Sequence, residues 1–259
     1  MKVFEKLKFI LDLSWTEYKR EFANTGLGVF WAFFKPFLTI AIFWFVFSIG
    51  LKSAPVEGVP FILWLIAGNI PWFYMGDVYV DGAMSIRGQQ HLVKKIVFPT
   101  ELLPTIKVFK GLYTNLFLIS VMLLFFMIYG YQPNIYWLQI IYYTIASIIF
   151  MTALSRVTSV LVVVSADIGQ LILSLSQFLF WLTPIIWNIE IVSNSTLKFI
   201  LGLNPFAYIV QGFRDSLIYK QGIFADMGHF VAFWIICGLL WLLGGHLMKK
   251  FQADFSDMI

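Results

Sequence analysis

Four residues of one apolar stretch, Gln170, Ser174, Gln177 and Trp181, follow one another at spacings of four, three and four. On a helix that rhythm places them on one face, as two amides, a hydroxyl and a closing aromatic ring. Such a stripe suits either a polar solute passing along it or hydrogen bonds to a neighbouring helix. Arg156 sits inside the preceding apolar stretch, about two turns from its end. A guanidinium at that depth must face protein or water and find a partner. Asp167 is one candidate, and a bound phosphate is another, because the planar guanidinium fork matches phosphate oxygens. A third group is HLVKKIVFPTELLP, residues 91–104, which gathers charge and two prolines between long apolar runs. From Ser85 to Val97 the chain reads as a short helix carrying Arg87, His91, Lys94 and Lys95. Pro99 and Pro104 then punctuate it, with Glu101 between them. Proline forces its predecessor toward extended backbone, so the element is stiff and the chain turns sharply after it. The same lysines also act as determinants of membrane orientation.

Other chemistry is missing. His91, His229 and His246 lie on different segments, and Cys237 is the only cysteine, so neither a zinc site nor an intrachain disulfide is expected. No G-x-x-x-x-G-K-[ST] phosphate loop occurs, so any ATP that drives this chain must bind elsewhere. Asp77 and Asp81, one turn apart, read as solvated helix-end residues and not as a proton relay.

The elements that position these groups follow from composition. Across 259 residues, 60% are hydrophobic and only 12% are charged, too little polar surface to cover a water-soluble globule of this size. Crossing ~30 Å of hydrocarbon takes roughly 20 apolar residues. Six stretches qualify: Ala32 to Leu51, Phe61 to Val80, Val108 to Tyr129, Tyr136 to Val164, Gly169 to Trp187 and Phe230 to Met248. An even number puts both termini on one side. With that side cytoplasmic, thirteen cations lie inside: Lys2, Lys6, Lys8, Lys19, Arg20, Lys35, Arg87, Lys94, Lys95, Lys107, Lys110, Lys249 and Lys250. Four lie outside, Lys52, Lys198, Arg214 and Lys220, and the imbalance sets the orientation. Interrupting acidic residues and the lack of a cleavage site argue against a signal peptide at the amino terminus.

Residues 1–28 form an interface element, because Phe4, Leu7, Leu11, Trp15, Tyr18 and Phe22 recur at helical spacing opposite Glu5, Lys8, Asp12 and Lys19. Burial of its apolar face in the inner interface, or against a soluble partner, would hold it. Residues 188–227 lie outside by topology, yet LKFILGLNPFAYIVQGF (197–213) is too apolar for an exposed loop and too broken for a span. Gly202 and Asn204-Pro205 divide it into two short helices dipping into the outer leaflet. Irregular backbone at such depth must be buried in protein or line a wet cavity. An outer interfacial hairpin without a gating role is the alternative.

Four pieces, in order, carry a resemblance: TGLGVFWAFFKP (25–36), HLVKKIVFPTELLP, TPIIW (183–187) and LNPFAYIVQGFRDSLI (203–218). With them the chain resembles the ABC-2 type permeases that export lipid-linked polysaccharide, the group of O-antigen (Wzm) and teichoic acid (TagG/TarG) permeases. Members often carry Arg-Asp before the fifth span, where this chain has Ala166-Asp167. The resemblance implies an all-α integral membrane fold over 1–259, with six spans, in a bacterial cytoplasmic membrane. It also implies a homodimeric channel driven by two copies of a separate ATPase that holds the ATP and Mg, with no cofactor in this chain. Residues 85–104 become a coupling element on the ATPase, whose stiffness lets it transmit motion; Arg87, His91, Lys94, Lys95, Pro99 and Glu101 are its contact residues.

A glycan channel offers aromatic faces to sugar C–H surfaces and polar groups to hydroxyls. Phe34, Phe37 and Trp44 on the first span join Gln170, Ser174, Gln177 and Trp181 as candidate path residues, and Arg156 as a lipid-phosphate contact. Gly202, Asn204, Pro205, Phe206 and Tyr208 form the candidate outer gate. A permease for drugs or small lipids would share this fold. A membrane enzyme of lipid-linked glycan synthesis would need convergent catalytic groups in its loops, and none stand out.

Overall fold

The computed structural model describes residues 3–23, 25–52, 54–90, 99–252 and 255–258. Every named element is helical. In chain order they are α1 (Val3–Ala23), α2 (Phe30–Trp44, prolonged by a π-helical stretch Phe45–Gly50), α3 (Phe61–Ala83), α4 (Leu103–Ile128), α5 (Gln139–Val164), α6 (Ala166–Leu182), α7 (Ser195–Gly202), α8 (Pro205–Arg214), α9 (Met227–Phe251) and α10 (Phe255–Met258). Five helical stretches are long and apolar enough to cross a membrane: Phe30–Gly50, Phe61–Ala83, Thr100–Ile128, Ile135–Val164 and Met227–Phe251. The chain is a multi-pass membrane protein.

The expected stretch Gly169 to Trp187 is corrected by α6, which begins at Ala166 and stops at Leu182 after 17 residues. At 1.5 Å per residue it reaches only ~25 Å. Its end has a local cause: Pro184 pushes Thr183 out of the helical region, and Thr183 is extended, with ψ 134°.

α3 is the axis of the fold. It contacts α2, α4, α5, α6 and α8, and its buried residues cover its whole circumference, from Phe61 to Ala83. Small residues allow this close approach: a side chain at Gly82 would strike Ser155 on α5, and one at Gly68 would strike Arg214. α2, by contrast, has no buried residue.

At one end of the bundle, here the α1 end, α1 lies along α4. Lys6 pairs with Glu101 at 2.6 Å and Glu17 with Lys107 at 2.6 Å. Lys110 binds both Glu21, at 3.0 Å, and Asp81 of α3. Ser14 meets the Tyr113 hydroxyl at 3.0 Å, and Trp15 packs edge-on against the Tyr113 ring. The apolar spacing of α1 therefore produced the expected helix, but much of its charged face is taken up by α4.

At the opposite end, the hairpin end, α7 and α8 are joined at Leu203-Asn204. Asn204 holds this tip in two ways. Its Oδ1 accepts from the Phe206 backbone N–H at 3.1 Å, capping α8, and its Nδ2 donates to Thr183 Oγ1 at 3.0 Å, tying the tip to the end of α6. Pro205 begins α8, where its missing N–H leaves no bond unmade.

Candidate functional site

The polar stripe lies on α6, where Leu171, Leu173, Leu175 and Phe178 are exposed as well. Gln170, Ser174, Gln177 and Trp181 are all exposed along α6. Ser174 Oγ donates to the Gln170 carbonyl at 3.1 Å within the helix, and among the described residues none of the four side chains hydrogen-bonds to another helix. α2 adjoins α6 through Phe43 and Phe180, whose rings stack at 5.8 Å.

The aromatic residues of α2, which sequence could not sort by face, are sorted here. Phe33 meets Phe117, Phe43 meets Phe180 and Phe47 meets Phe61, so these three point into the protein. Phe37 and Trp44 are exposed, and half-buried Phe34 stacks on Phe30 at 5.2 Å. The candidate path residues thus lie on open faces of two neighbouring helices.

The hairpin residues are more deeply built in than a surface gate would be. Phe206 is buried against Trp72, Phe150 and Tyr79. Trp72 is the twelfth of the 23 residues of α3, so the tip reaches the middle of that helix. Tyr208 shares a hydrogen bond with the Tyr142 hydroxyl at 3.0 Å, which also accepts from Trp234 Nε1 at 3.0 Å, and its ring stacks on Phe233 at 4.5 Å. Gly202 is needed for space, since a Cβ there would strike His229. His229 in turn binds the Asp226 carboxylate at 2.5 Å.

Arg214 is the residue whose burial the sequence did not reveal. Counted among the outer cations by topology, it is 1% exposed at the end of α8. Its Nη1 donates to the Pro184 carbonyl at 2.6 Å, its Nη2 to the Ile185 carbonyl at 2.5 Å, and its guanidinium lies 3.5 Å from the Trp64 ring centroid. It bolts the chain leaving α6 to α8 and α3 at once, and the glycine at 68 makes the room. An aromatic face and two carbonyls replace the water that a buried cation loses. Nothing local in the sequence distinguishes it from a topology-setting arginine. Burial raises the neighbouring Asp215 carboxyl to about 6, against the lowering effects of the Gln211 hydrogen bond and the Arg214 charge.

Arg156 faces α9: its guanidinium lies 5.3 Å from the Trp241 ring centroid, and its Cβ packs at Gly244. Among the described residues no ion pair joins it to Asp167, so that expected pairing is not made; the cation–π contact takes its place.

In the 85–104 region, Arg87–Gln89 form a short helical turn, and Arg87 Nη1 donates to the Val162 carbonyl at the end of α5, at 3.2 Å. Gln89 donates to Glu17 of α1. Pro99 precedes the turn Thr100–Leu102 that leads into α4, and Glu101 is the partner of Lys6. His91, Lys94 and Lys95 lie outside the described residues. Arg87 and Glu101 are therefore engaged within the chain, a role the sequence did not assign them.

The comparisons with known proteins agree with this architecture. Residues 9–218 match the family model of the ABC-2 type transporter. The chain is similar to a protein named O-antigen export system permease protein RfbA from Klebsiella pneumoniae, 23% identical over 264 residues, covering 100% of this chain and 99% of that one. A protein of the same name from Myxococcus xanthus is 20% identical over 259 residues, covering 100% and 98%. A second from Klebsiella pneumoniae is 25% identical over 256 residues, covering 94% and 92%. Since its family model covers residues 9–218, most of the chain, the chain belongs to the ABC-2 type transporter family.

Proposed function

We propose that this chain is the membrane subunit of a transporter exporting lipid-linked polysaccharide, of O-antigen or teichoic acid type, across the cytoplasmic membrane of a bacterium. The observation that carries the reading is end-to-end similarity to relatives named O-antigen export permeases. The open faces of α2 and α6 support it. One bears aromatic rings and the other amides and a hydroxyl, the two surfaces a glycan needs.

In this reading α6 is a short sixth span, both termini are cytoplasmic, and α7–α8 is a re-entrant hairpin at the outer side. Support for the last comes from the Phe206–Trp72 contact at the midpoint of α3. A homodimer encloses the path between its α2 and α6 faces. Two copies of a separate ATPase bind the ATP and Mg and grip the 85–104 element.

Motion at the outer mouth is constrained by geometry. α8 is bolted through Arg214 and Phe206, so the gate opens by moving α7, or by carrying α6 and α8 together, and not by swinging α8 alone.

The test is genetic and biochemical. Cells lacking the chain should accumulate lipid-linked glycan on the cytoplasmic side and lose it from the surface, and the intact gene should restore export. Normal surface glycan in those cells, with loss of export of a drug or a small lipid instead, would favour the other permease reading. Charge reversal of Lys94 and Lys95 to Glu should leave insertion intact and uncouple ATP hydrolysis from export.

A further inference from the structure

Tyr18, Glu21 and Phe22 of α1 line a cavity of about 510 Å³ whose wall also includes residues of α2, α3 and α4 and Ser176 of α6. Along α4 it extends from Lys107 to Leu118, ~16 Å of that helix. Its charges can be subtracted in pairs. Lys110 is taken by Asp81 and Glu21, and Lys107 by Glu17. One cation, Lys35, and one anion, Asp77, remain on the wall, with no hydrogen bond or ion pair from either side chain among the described residues. Asn115 on the same wall is 2% exposed, and its Oδ1 has no hydrogen-bond partner among the described residues. A buried amide oxygen left so is costly unless a bound molecule satisfies it. Hydroxyls of Thr39, Thr114 and Ser176 and the apolar Trp31, Trp72 and Leu118 line the rest.

The unmatched groups on the wall are those a phospholipid would satisfy: one cation, one anion and an amide oxygen, with apolar surface alongside. We propose that this cavity holds a membrane phospholipid with a phosphoethanolamine headgroup, its phosphate at Lys35, its ammonium at Asp77 and a glycerol ester at Asn115. A zwitterion suits the wall because both unpaired signs are present. A primary ammonium suits it better than a quaternary one, because only the former donates hydrogen bonds to a carboxylate. The amphipathic α1 on its wall puts the cavity where lipid headgroups are found. Bound there, the lipid would fill the seam between α2, which has no buried residue, and the α3–α4 body.

This inference rests on the membrane reading and not on the cargo, so it is tested without transport. The full-length protein is purified in nanodiscs containing equal amounts of phosphatidylethanolamine, phosphatidylcholine and phosphatidylglycerol, and retained lipid is identified by native mass spectrometry. Phosphatidylethanolamine should be retained about tenfold over phosphatidylcholine, the worth of one charge-assisted hydrogen bond. Asp77→Asn should bring that ratio close to one. Asp81→Asn, one turn away and already paired with Lys110, should preserve it. Equal retention of the two lipids by the unmodified protein would overturn the proposal even if a variant failed to fold. So would an unchanged preference in folded Asp77→Asn protein, judged by its circular dichroism melting curve.

Discussion

Helices α2 and α3 are both apolar, both long enough to cross a membrane and both interrupted by an internal proline, Pro36 and Pro71. One has no buried residue, and the other is buried on every side. Hydropathy does not mark the buried one: the exposed helix is the more apolar, as expected where its surroundings are lipid and not water. What separates them is side-chain size. α3 places Gly68 and Gly82 where neighbouring segments come close, whereas seven of the fifteen residues of α2 are Phe or Trp. A helix studded with bulky rings cannot be approached closely on all sides. It is left with open surface, and that surface is what a partner or a cargo can use.

The comparison breaks most severely at the glycines. Gly82→Leu should cost about 3 kcal/mol or more, since its side chain enters the space of Ser155. Phe37→Leu on α2, exposed in the single chain, should change stability by only about 0.5 kcal/mol. Thermal unfolding in detergent gives both, and comparable losses would erase the contrast.

Next in size is the bolt that α3 receives from α8. Arg214→Ala strands the Pro184 and Ile185 carbonyls and should lower stability by about 2–4 kcal/mol. Arg214→Lys keeps the charge and loses the two-carbonyl fork, so its loss should fall between. Proteolysis of the 183–204 region would report the same ranking.

On the open side the effect should be functional and barely thermodynamic. Gln177→Leu removes a polar group that, among the described residues, hydrogen-bonds no other helix, so its melting curve should match the unmodified protein while glycan export falls severalfold. A shift chiefly in subunit association would make the stripe a seam between chains.

The smallest effect concerns acidity. A carboxyl whose folded pKa is raised contributes stability below its ordinary value and loses that contribution as pH climbs through the raised one. Asp215, raised to about 6 chiefly by burial, should therefore make the protein slightly more heat-stable near pH 5 than near pH 7.5. Asp215→Asn should flatten that slope, to be read from melting temperatures across the range.

Particular residues show how far the sequence could be read. The three-and-four spacing from Phe4 to Phe22 marked α1, because amphipathic periodicity is a local property. Gly202 and Asn204-Pro205 marked the hairpin tip for the same reason. Thr183-Pro184 held the true end of α6, and the proline rule could have trimmed the stretch drawn to Trp187. Arg214 was beyond reach: its burial depends on Trp64, on the glycine at 68 and on two carbonyls some 30 residues earlier, none of which leaves a mark in its own neighbourhood. The pairing of the α1 charges with α4 was hidden likewise, since solvated and paired carboxylates have the same sequence pattern. The stripe on α6 was visible as a periodicity, but its exposure was a matter of three-dimensional packing.

The stitching of α1 to α4 has a consequence for how the chain is made. Lys6 and Glu101 are 95 residues apart and Glu17 and Lys107 are 90 apart, so α1 leaves the ribosome long before its partners do. At ~5–20 residues per second the wait is several seconds or more, during which two apolar helices, α2 and α3, are also delivered to the bilayer. Through that interval α1 is without α4, and its aromatic face must find another apolar surface. Its acidic residues thus act as a latch that closes only when the third long helix arrives.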